Sequence, residues 1–264
     1  MNPFPQYSLD ETTAIITGAS RGIGRHIAIS FVEAGATVCL AARSDGIYDT
    51  QDLIGADERV IVVKTDVTDE TSIRCAIEET VNEFGGVDCL VNNAGVAGPT
   101  APLEEITRDE WQETLDVNVT SMFLMLKHAS SYLRESDNGR VINISSISGK
   151  RPLYQRTPYA TSKMGVIGLT RTAAAEFAED EVTVNAICPG GTRGSRIDDV
   201  IERQAEQMNV DFEEAKRRRF TEDALMGQLI EPEDIANMAV FLASEAAQHI
   251  TAQDVNVDGG TVWY

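Results

Sequence analysis

Short runs of β-branched and small apolar residues alternate along this chain with longer segments whose apolar residues recur at helical spacing. Thr13-Ala14-Ile15-Ile16-Thr17, the stretch Thr37-Val38-Cys39-Leu40-Ala41-Ala42 after the turn at Gly35, and the runs 60–63, 87–91, 139–144, 182–187 and 254–257 read as strands. Helical patterns fill the gaps at about 25–34, 70–84, 108–134 and 158–179, and a further helix starts at Glu231-Pro232-Glu233-Asp234, with proline and acids in its first turn. Thr107 and Glu110 form a capping box ahead of the 108–134 segment. Strand and helix in alternation predict an α/β fold: a doubly wound parallel sheet of about seven strands with helices on both faces. No linker, repeat or low-complexity segment divides the chain, so residues 1–264 are expected to form a single unit. The charged amphipathic stretch at about 195–220 stands outside the alternation.

The charge narrows the partners. Forty-two acidic residues against 22 basic ones give a net charge of -20, a sign that disfavours nucleic acid and anionic membrane as partners. Lysine occurs only at positions 64, 127, 150, 163 and 216. An acid-rich, lysine-poor chain fits a salt-loving source, where molar salt screens the self-repulsion. No run of 18 apolar residues occurs, and residues 1–5 carry neither a basic region nor an apolar stretch, so a cytoplasmic protein is expected. Cys39, Cys75, Cys89 and Cys188 are scattered, as are His26, His128 and His249, and no metal-ligand spacing emerges.

The candidate chemistry begins at the first strand. It runs into Gly18-Ala19-Ser20-Arg21-Gly22-Ile23-Gly24 and then a helix. Strand, glycine turn and helix in that order make a dinucleotide site, because the glycines let the backbone approach a pyrophosphate resting on the helix N-terminus. At the end of the second strand an acidic residue would bind the ribose hydroxyls of NAD, whereas a basic one accommodates the 2′-phosphate of NADP. The chain has Ala42 and then Arg43 there, with Arg21 as a second cation, which favours NADP over NAD. Further on, Tyr159 and Lys163 lie one helical turn apart on one face. A phenol is a poor acid or base at neutral pH, and an ammonium beside it favours its ionised form.

The spacing T-G-x-x-x-G-x-G, then Asn92-Asn93-Ala94-Gly95, Asn118, Ser146 and Tyr159/Lys163 in this order, resembles the short-chain dehydrogenase/reductase family over nearly the whole chain. The resemblance implies a Rossmann-type fold and a hydride transfer between a nicotinamide cofactor and a carbonyl or secondary alcohol. It assigns catalysis to Asn118, Ser146, Tyr159 and Lys163, with Asn118 holding a water of the proton relay and Lys163 also holding the nicotinamide ribose. The serine is the one thirteen positions before the tyrosine, which selects Ser146 over Ser145 and Ser148. It assigns the cofactor to Gly18, Ser20, Arg21, Gly22, Ile23, Gly24, Arg43, Asp66, Val67, Asn92, Ala94, Gly95, Tyr159, Lys163, Pro189, Gly190 and Thr192. The threonine usual five positions after Pro189 is here Gly194, leaving Thr192 or Ser195 to contact the carboxamide. The resemblance also makes 195–220 a substrate lid and leads one to expect a homotetramer, or else a homodimer, paired through the helices at 108–134 and 158–179.

The loop from Lys150 to Pro158 joins the serine to the tyrosine, and Arg151, Tyr154 and Arg156 are its candidate substrate contacts. Its cations point to an anionic substrate such as an acyl thioester or a sugar acid, or else to salt bridges with the acidic surface. Within that family the sequence looks broadly like the 3-oxoacyl-thioester reductases and the sugar or polyol dehydrogenases, which its motifs do not separate. A non-catalytic nucleotide sensor is disfavoured, because Tyr159, Lys163, Ser146 and Asn118 are all present.

Overall fold

A computed structural model describes residues 5–55 and 58–264. Residues 1–4, read above for leader features, lie outside the described residues. Seven strands form one sheet: β1 (Thr13–Thr17), β2 (Thr37–Ala42), β3 (Val60–Lys64), β4 (Cys89–Asn92), β5 (Arg140–Ile144), β6 (Thr183–Pro189) and β7 (Asp254–Val257). Their order is β3-β2-β1-β4-β5-β6-β7, and each pairing is parallel. The chain therefore starts in the middle of the sheet, builds outward one way, returns, and builds outward the other way.

Both faces are buried over β1, β4, β5 and β6, where the strands are closed to solvent along their whole length, while the edge strands β3 and β7 are partly exposed. Successive residues of β1 show the division. Ala14 and Ile16 pack with Ile27 and Phe31 of α1 (Gly22–Glu33) and with Ile235 and Ala239 of α9 (Pro232–Ala243). Ile15 faces the other way, onto Ile73 and Ile77 of α3 (Glu70–Phe84), Met125 of α5 (Ser121–Glu135) and Phe177 of α6 (Thr157–Phe177). The helix α2 (Gly46–Ile54) follows β2, and α4 (Arg108–Leu115) precedes α5. Helix ends are specified locally. Asp69 caps α3 through the Thr71 N–H, Gly85 takes the left-handed conformation after it, and the Thr107/Glu110 capping box opens α4 as expected. Cys39, Cys89 and Cys188 are buried in strands, whereas Cys75 is exposed. Among the described residues no helix is long and apolar enough to cross a membrane.

The helix expected over 108–134 is present without a break, but it is not α-helical throughout. α4 and α5 are joined by a π-helical turn, Asp116–Thr120, which adds one residue to the helical path. Periodicity did not reveal it, because Leu115, Val117 and Val119 keep an apolar pattern through the turn. Its cause is tertiary: Asn118 is fully buried and bonded to another loop. Smaller shifts occur at other ends. α1 starts at Gly22 rather than Arg25, β4 at Cys89 rather than Val87, and α6 ends at Phe177.

Residues 195–220 fold into α7 (Ser195–Met208), α8 (Phe212–Lys216) and a π-helical turn, Arg217–Thr221. Ile201, Ala205 and Ala215 form a small cluster of their own there, with Phe212 and Phe220 against it.

One polar chain crosses the apolar core. Asn92 and Asn143 are register partners on β4 and β5, and Asn92 Nδ2 donates to Asn143 Oδ1 at 2.9 Å. Asn143 Nδ2 in turn donates to Thr170 Oγ1 of α6 at 3.0 Å. Asn143→Ala strips both partners of their bond in a site closed to water, and is expected to cost about 2–4 kcal/mol. Urea denaturation checks this, and a loss below about 0.5 kcal/mol would show the chain to be dispensable.

Candidate active site

The sequence-predicted residues converge where strands end. The glycine turn follows β1, Asn92 closes β4 and Asn93-Ala94-Gly95 follow it, Ser146 lies just beyond β5, and Pro189 closes β6 with Gly190 after it, all at C-terminal strand ends. Between β1 and β4 the sheet order reverses, and such a reversal leaves a crevice for ligands in open α/β sheets.

Close packing shapes the first wall of this crevice. Asn93 Nδ2 donates to Thr17 O at 2.8 Å and to Gly18 O at 3.2 Å, while Thr17 Oγ1 accepts from Asn93 N at 2.9 Å and Ala94 N at 3.0 Å. A Cβ on Gly18 would stand 2.8 Å from Asn93 Nδ2, and one on Gly24 would overlap both Asn93 Nδ2 and the Gly18 carbonyl. Gly18 also holds a φ of +68°. The glycines thus keep a channel of bare backbone at the start of α1. Arg21 caps α1 without a side-chain bond to its N–H groups and is exposed, Ser20 is buried, and Ile23 packs on the core. This concave run of backbone suits a dinucleotide pyrophosphate. Asn92 points into the sheet toward Asn143 rather than into the crevice. Asn93, left out of the assigned cofactor residues, is the side chain that ties the two loops.

At the β2 and β3 ends, Arg43 and Asp66 form an ion pair, Nη1 to Oδ2 3.5 Å, in which Arg43 is largely exposed. Partial burial alone would raise the Asp66 carboxyl. Bonds from the Thr68 N–H and hydroxyl, and then Arg43, outweigh it and hold the group below its ordinary value. Lys64 donates to Arg43 O at 3.0 Å and pairs with Asp45. Val67 is buried beside them.

The second wall is polar and nearly closed to solvent. Lys163 is 4% exposed, and its ammonium donates to Ile144 O at 2.8 Å while lying 5.8 Å from the centre of the Tyr159 ring. Asn118 accepts from Val96 N at 2.8 Å, donates to Val96 O at 3.0 Å and donates to Ser162 Oγ at 3.0 Å. Ser162 donates to Tyr159 O at 2.7 Å, so Asn118 and the tyrosine share a partner. A Cβ on Gly95 would lie 3.1 Å from Asn118 Oδ1, so the bare glycine keeps the loop after β4 close to that amide, while Lys163 Nζ would stand at an ordinary 3.8 Å. The neighbouring serines divide their work. Ser145 donates to Lys163 O at 2.8 Å and is structural, whereas Ser146 Oγ accepts from Ser148 N at 3.1 Å. This set can hold an oxygen-bearing substrate beside a proton donor.

Beyond β6, Pro189 is the last strand residue, and Gly190 packs so tightly on Asp258 that a Cβ would lie 2.9 Å from the Asp258 Cα. Thr192 donates to Gly190 O at 3.1 Å, Gly194 has a φ of +133°, and Ser195 opens α7 exposed. In the substrate loop, Arg151 Nη1 pairs with Asp223 at 3.2 Å, so in this structure its charge goes to an acidic group. Tyr154 is exposed, with the Arg219 guanidinium over its ring at 5.7 Å. Arg156 is 3% exposed and donates to Ala97 O at 2.7 Å, on the loop that follows β4. Lys150 pairs with Asp254 at 2.7 Å. Of the Arg217-Arg218-Arg219 run, the first two pair with Glu214.

Residues 18–262 match the family model described as enoyl-(acyl carrier protein) reductase. The chain is 34% identical to the 3-oxoacyl-[acyl-carrier-protein] reductase FabG of Staphylococcus aureus (strain Mu50), covering 94% of this chain and 97% of the relative. It superposes on a variant actinorhodin polyketide ketoreductase solved with NADPH at a TM-score of 0.91, with 32% identity over 98% of this chain and 99% of that one. The aldohexose dehydrogenase of Thermoplasma acidophilum superposes at 0.84, with 29% identity over 96% of this chain and 94% of that one.

Gly24→Ala tests the close approach of the two loops. The added methyl has no space unless Asn93 moves, so we expect the Kd for NADPH to rise about tenfold or more, read by quenching of protein fluorescence. An unchanged Kd would mean that the loops need not touch.

Proposed function

The chain belongs to the short-chain dehydrogenase/reductase family, and we propose that it is an NADP(H)-dependent carbonyl reductase in which Tyr159 is the general acid and base. The enzyme class, an oxidoreductase acting on hydroxyl and carbonyl groups, comes with the family. The observation that carries the residue-level reading is that two buried polar side chains flank Tyr159: Lys163, whose ammonium lies 5.8 Å from the ring centre, and Asn118, joined to the Tyr159 main chain through Ser162.

The nicotinamide, when bound, supplies or accepts the hydride at the substrate carbon. The chain's own residues manage the oxygen. Ser146 donates a hydrogen bond that fixes the oxygen, and Tyr159 delivers a proton to it in the reduction direction and removes it in oxidation. Lys163, pinned to Ile144 O, stabilises the charge left on the tyrosine oxygen and would hold the nicotinamide ribose. Asn118 keeps the Val96 main chain in place and would hold the relay water. The glycine cradle Gly18, Gly22 and Gly24, with Ser20, Ile23, Ala94 and Gly95, fits a pyrophosphate and its ribose. Val67 and Asp66 would border the adenine, and Pro189, Gly190 and Thr192 the carboxamide, with Ser195 the other stand-in for the usual threonine.

The NADP preference rests on Arg43 and Arg21, with Ala42 leaving no carboxylate to repel a 2′-phosphate. Arg43 would exchange Asp66 for the phosphate. For the substrate, likeness to a 3-oxoacyl reductase and a polyketide ketoreductase supports a 3-oxoacyl thioester. Likeness to an aldohexose dehydrogenase supports a sugar or polyol as the second reading. In the thioester reading Arg151 leaves Asp223 to meet the anionic carrier. We take residues 1–264 to work as one unit, with 195–220 as its lid, in a cytoplasmic homotetramer adapted to high salt. Phe123 on α5 and Met164 on α6 are exposed apolar side chains that support pairing through those helices.

In molar KCl, NADPH is expected to be consumed with acetoacetyl-CoA at a kcat/KM at least tenfold above that with NADH. Tyr159→Phe should abolish turnover, and Arg43→Ala should erase most of the preference by weakening NADPH alone, roughly tenfold. Equal rates with both cofactors would overturn the NADP reading. Silence with acetoacetyl-CoA alongside NADP-linked oxidation of an aldohexose would select the sugar reading instead.

A further inference from the structure

Arg156 belongs to the loop whose cations were expected to meet substrate, yet it is 3% exposed. Its guanidinium lies over the face of the Tyr159 ring, 5.0 Å from the ring centre. Its Nη2 donates to Ala97 O at 2.7 Å, which fastens it to the loop that follows β4. The same two segments are joined again by Ala101 N donating to Gln155 O at 3.0 Å. Gln155 itself sits at a φ of +57°, a conformation a non-glycine residue keeps only when its surroundings impose it. The backbone is thus bent to turn the next residue, Arg156, inward at the N-cap of α6.

Resting on the reading of Tyr159 as acid and base, we propose that Arg156 is a positioning residue that fixes the Tyr159 ring relative to the β4 loop. Two cations lie near the ring, Arg156 Cζ at 5.0 Å and Lys163 Nζ at 5.8 Å from its centre, and each is referenced to a different strand end. Lys163 is tied to Ile144 O at the end of β5, and Arg156 to Ala97 O beyond the end of β4. A planar guanidinium suits the post, because it can lie over an aromatic face and still donate in its own plane. Ser162, bonded to Tyr159 O and to Asn118, holds the main chain of the same residue. The ring is therefore located against both loops between which substrate and nicotinamide must meet. Arg156 acts through Tyr159 and needs no contact with substrate.

The test compares Arg156→Met, which keeps length without charge, with Arg156→Lys, which keeps the charge. Turnover and NADPH binding are measured in molar KCl on folded protein. In parallel, ¹⁹F spectra are taken of protein labelled with 3-fluorotyrosine, the Tyr159 resonance being assigned by its loss in Tyr159→Phe. We expect Arg156→Met to lower kcat roughly ten- to a hundredfold, with KM and NADPH Kd within about twofold. Its Tyr159 resonance should shift, and Arg156→Lys should recover most of the rate and the spectrum. An unchanged kcat with an unmoved resonance in Arg156→Met overturns the proposal. So does a loss shared equally by Met and Lys with a matching rise in NADPH Kd, which would mark a collapsed loop. Should Arg156→Met fail to fold, the Lys variant decides: parental rate and spectrum support the proposal, and loss of both overturns it. Full turnover in Tyr159→Phe would sink the catalytic reading of the tyrosine, whereas the fluorine shift still reports whether Arg156 holds the ring.

Discussion

The architecture of the site depends on how near two loops can come across the gap between β1 and β4. The glycine turn and the Asn-Asn-Ala-Gly loop are joined by the Asn93 amide on the Thr17 and Gly18 carbonyls and by the Thr17 hydroxyl under the Asn93 and Ala94 N–H groups. That contact needs β1 and β4 as sheet neighbours, although Asn93 and Thr17 are 76 residues apart in the chain. It also needs hydrogen in place of a side chain at Gly18 and Gly24. Once it is made, Gly95 and Val96 are brought against Asn118, and the two halves of the site face one crevice.

Much of this could be read from the chain because it is written in short spacings. β1, α3 and β7 occupy the residues their patterns indicated. A five-residue apolar run buried on both faces has few alternatives, and Asp69 and Gly85 mark the ends of α3. Tyr159 and Lys163 stand out because one helical turn separates them, and the glycine turn because strand and helix flank it. What stayed hidden is set by tertiary partners. The π turn at Asp116–Thr120 leaves the apolar pattern of its neighbours intact, and the partners of its Asn118, Val96 and Ser162, lie 22 and 44 residues away. Arg156 looked like a loop cation because its anchor, Ala97, lies 59 residues away. Arg43 carries the sequence signal for a phosphate, and its pairing with Asp66 appears only when two strand ends are set side by side.

The arginines show how an acid-rich chain distributes scarce positive charge. Arg217 and Arg218 share Glu214, and bonds from these two side chains push its carboxyl down to about 2. Exposed pairs of this kind add little stability singly. Their arrangement matters more, since Arg151–Asp223 and Arg219 over Tyr154 join the loop between Ser146 and Tyr159 to the segment over it.

That segment has a consequence for how such a protein diversifies. α7 and α8 bury Ile201, Ala205 and Ala215 among themselves, and the stretch is bounded by Gly194 and Gly227, both at positive φ with open space around them. Its inner residues answer to that small core, while Phe220 lies against Gly191 beyond β6 and Leu225 and Met226 lie against Gly260 and Gly259 beyond β7. Exchanges confined to Ile201, Ala205 and Ala215 alter α7 and α8 without touching a strand end, whereas changes at Phe220, Leu225 or Met226 are felt there, so the segment is free to vary only in its outer part.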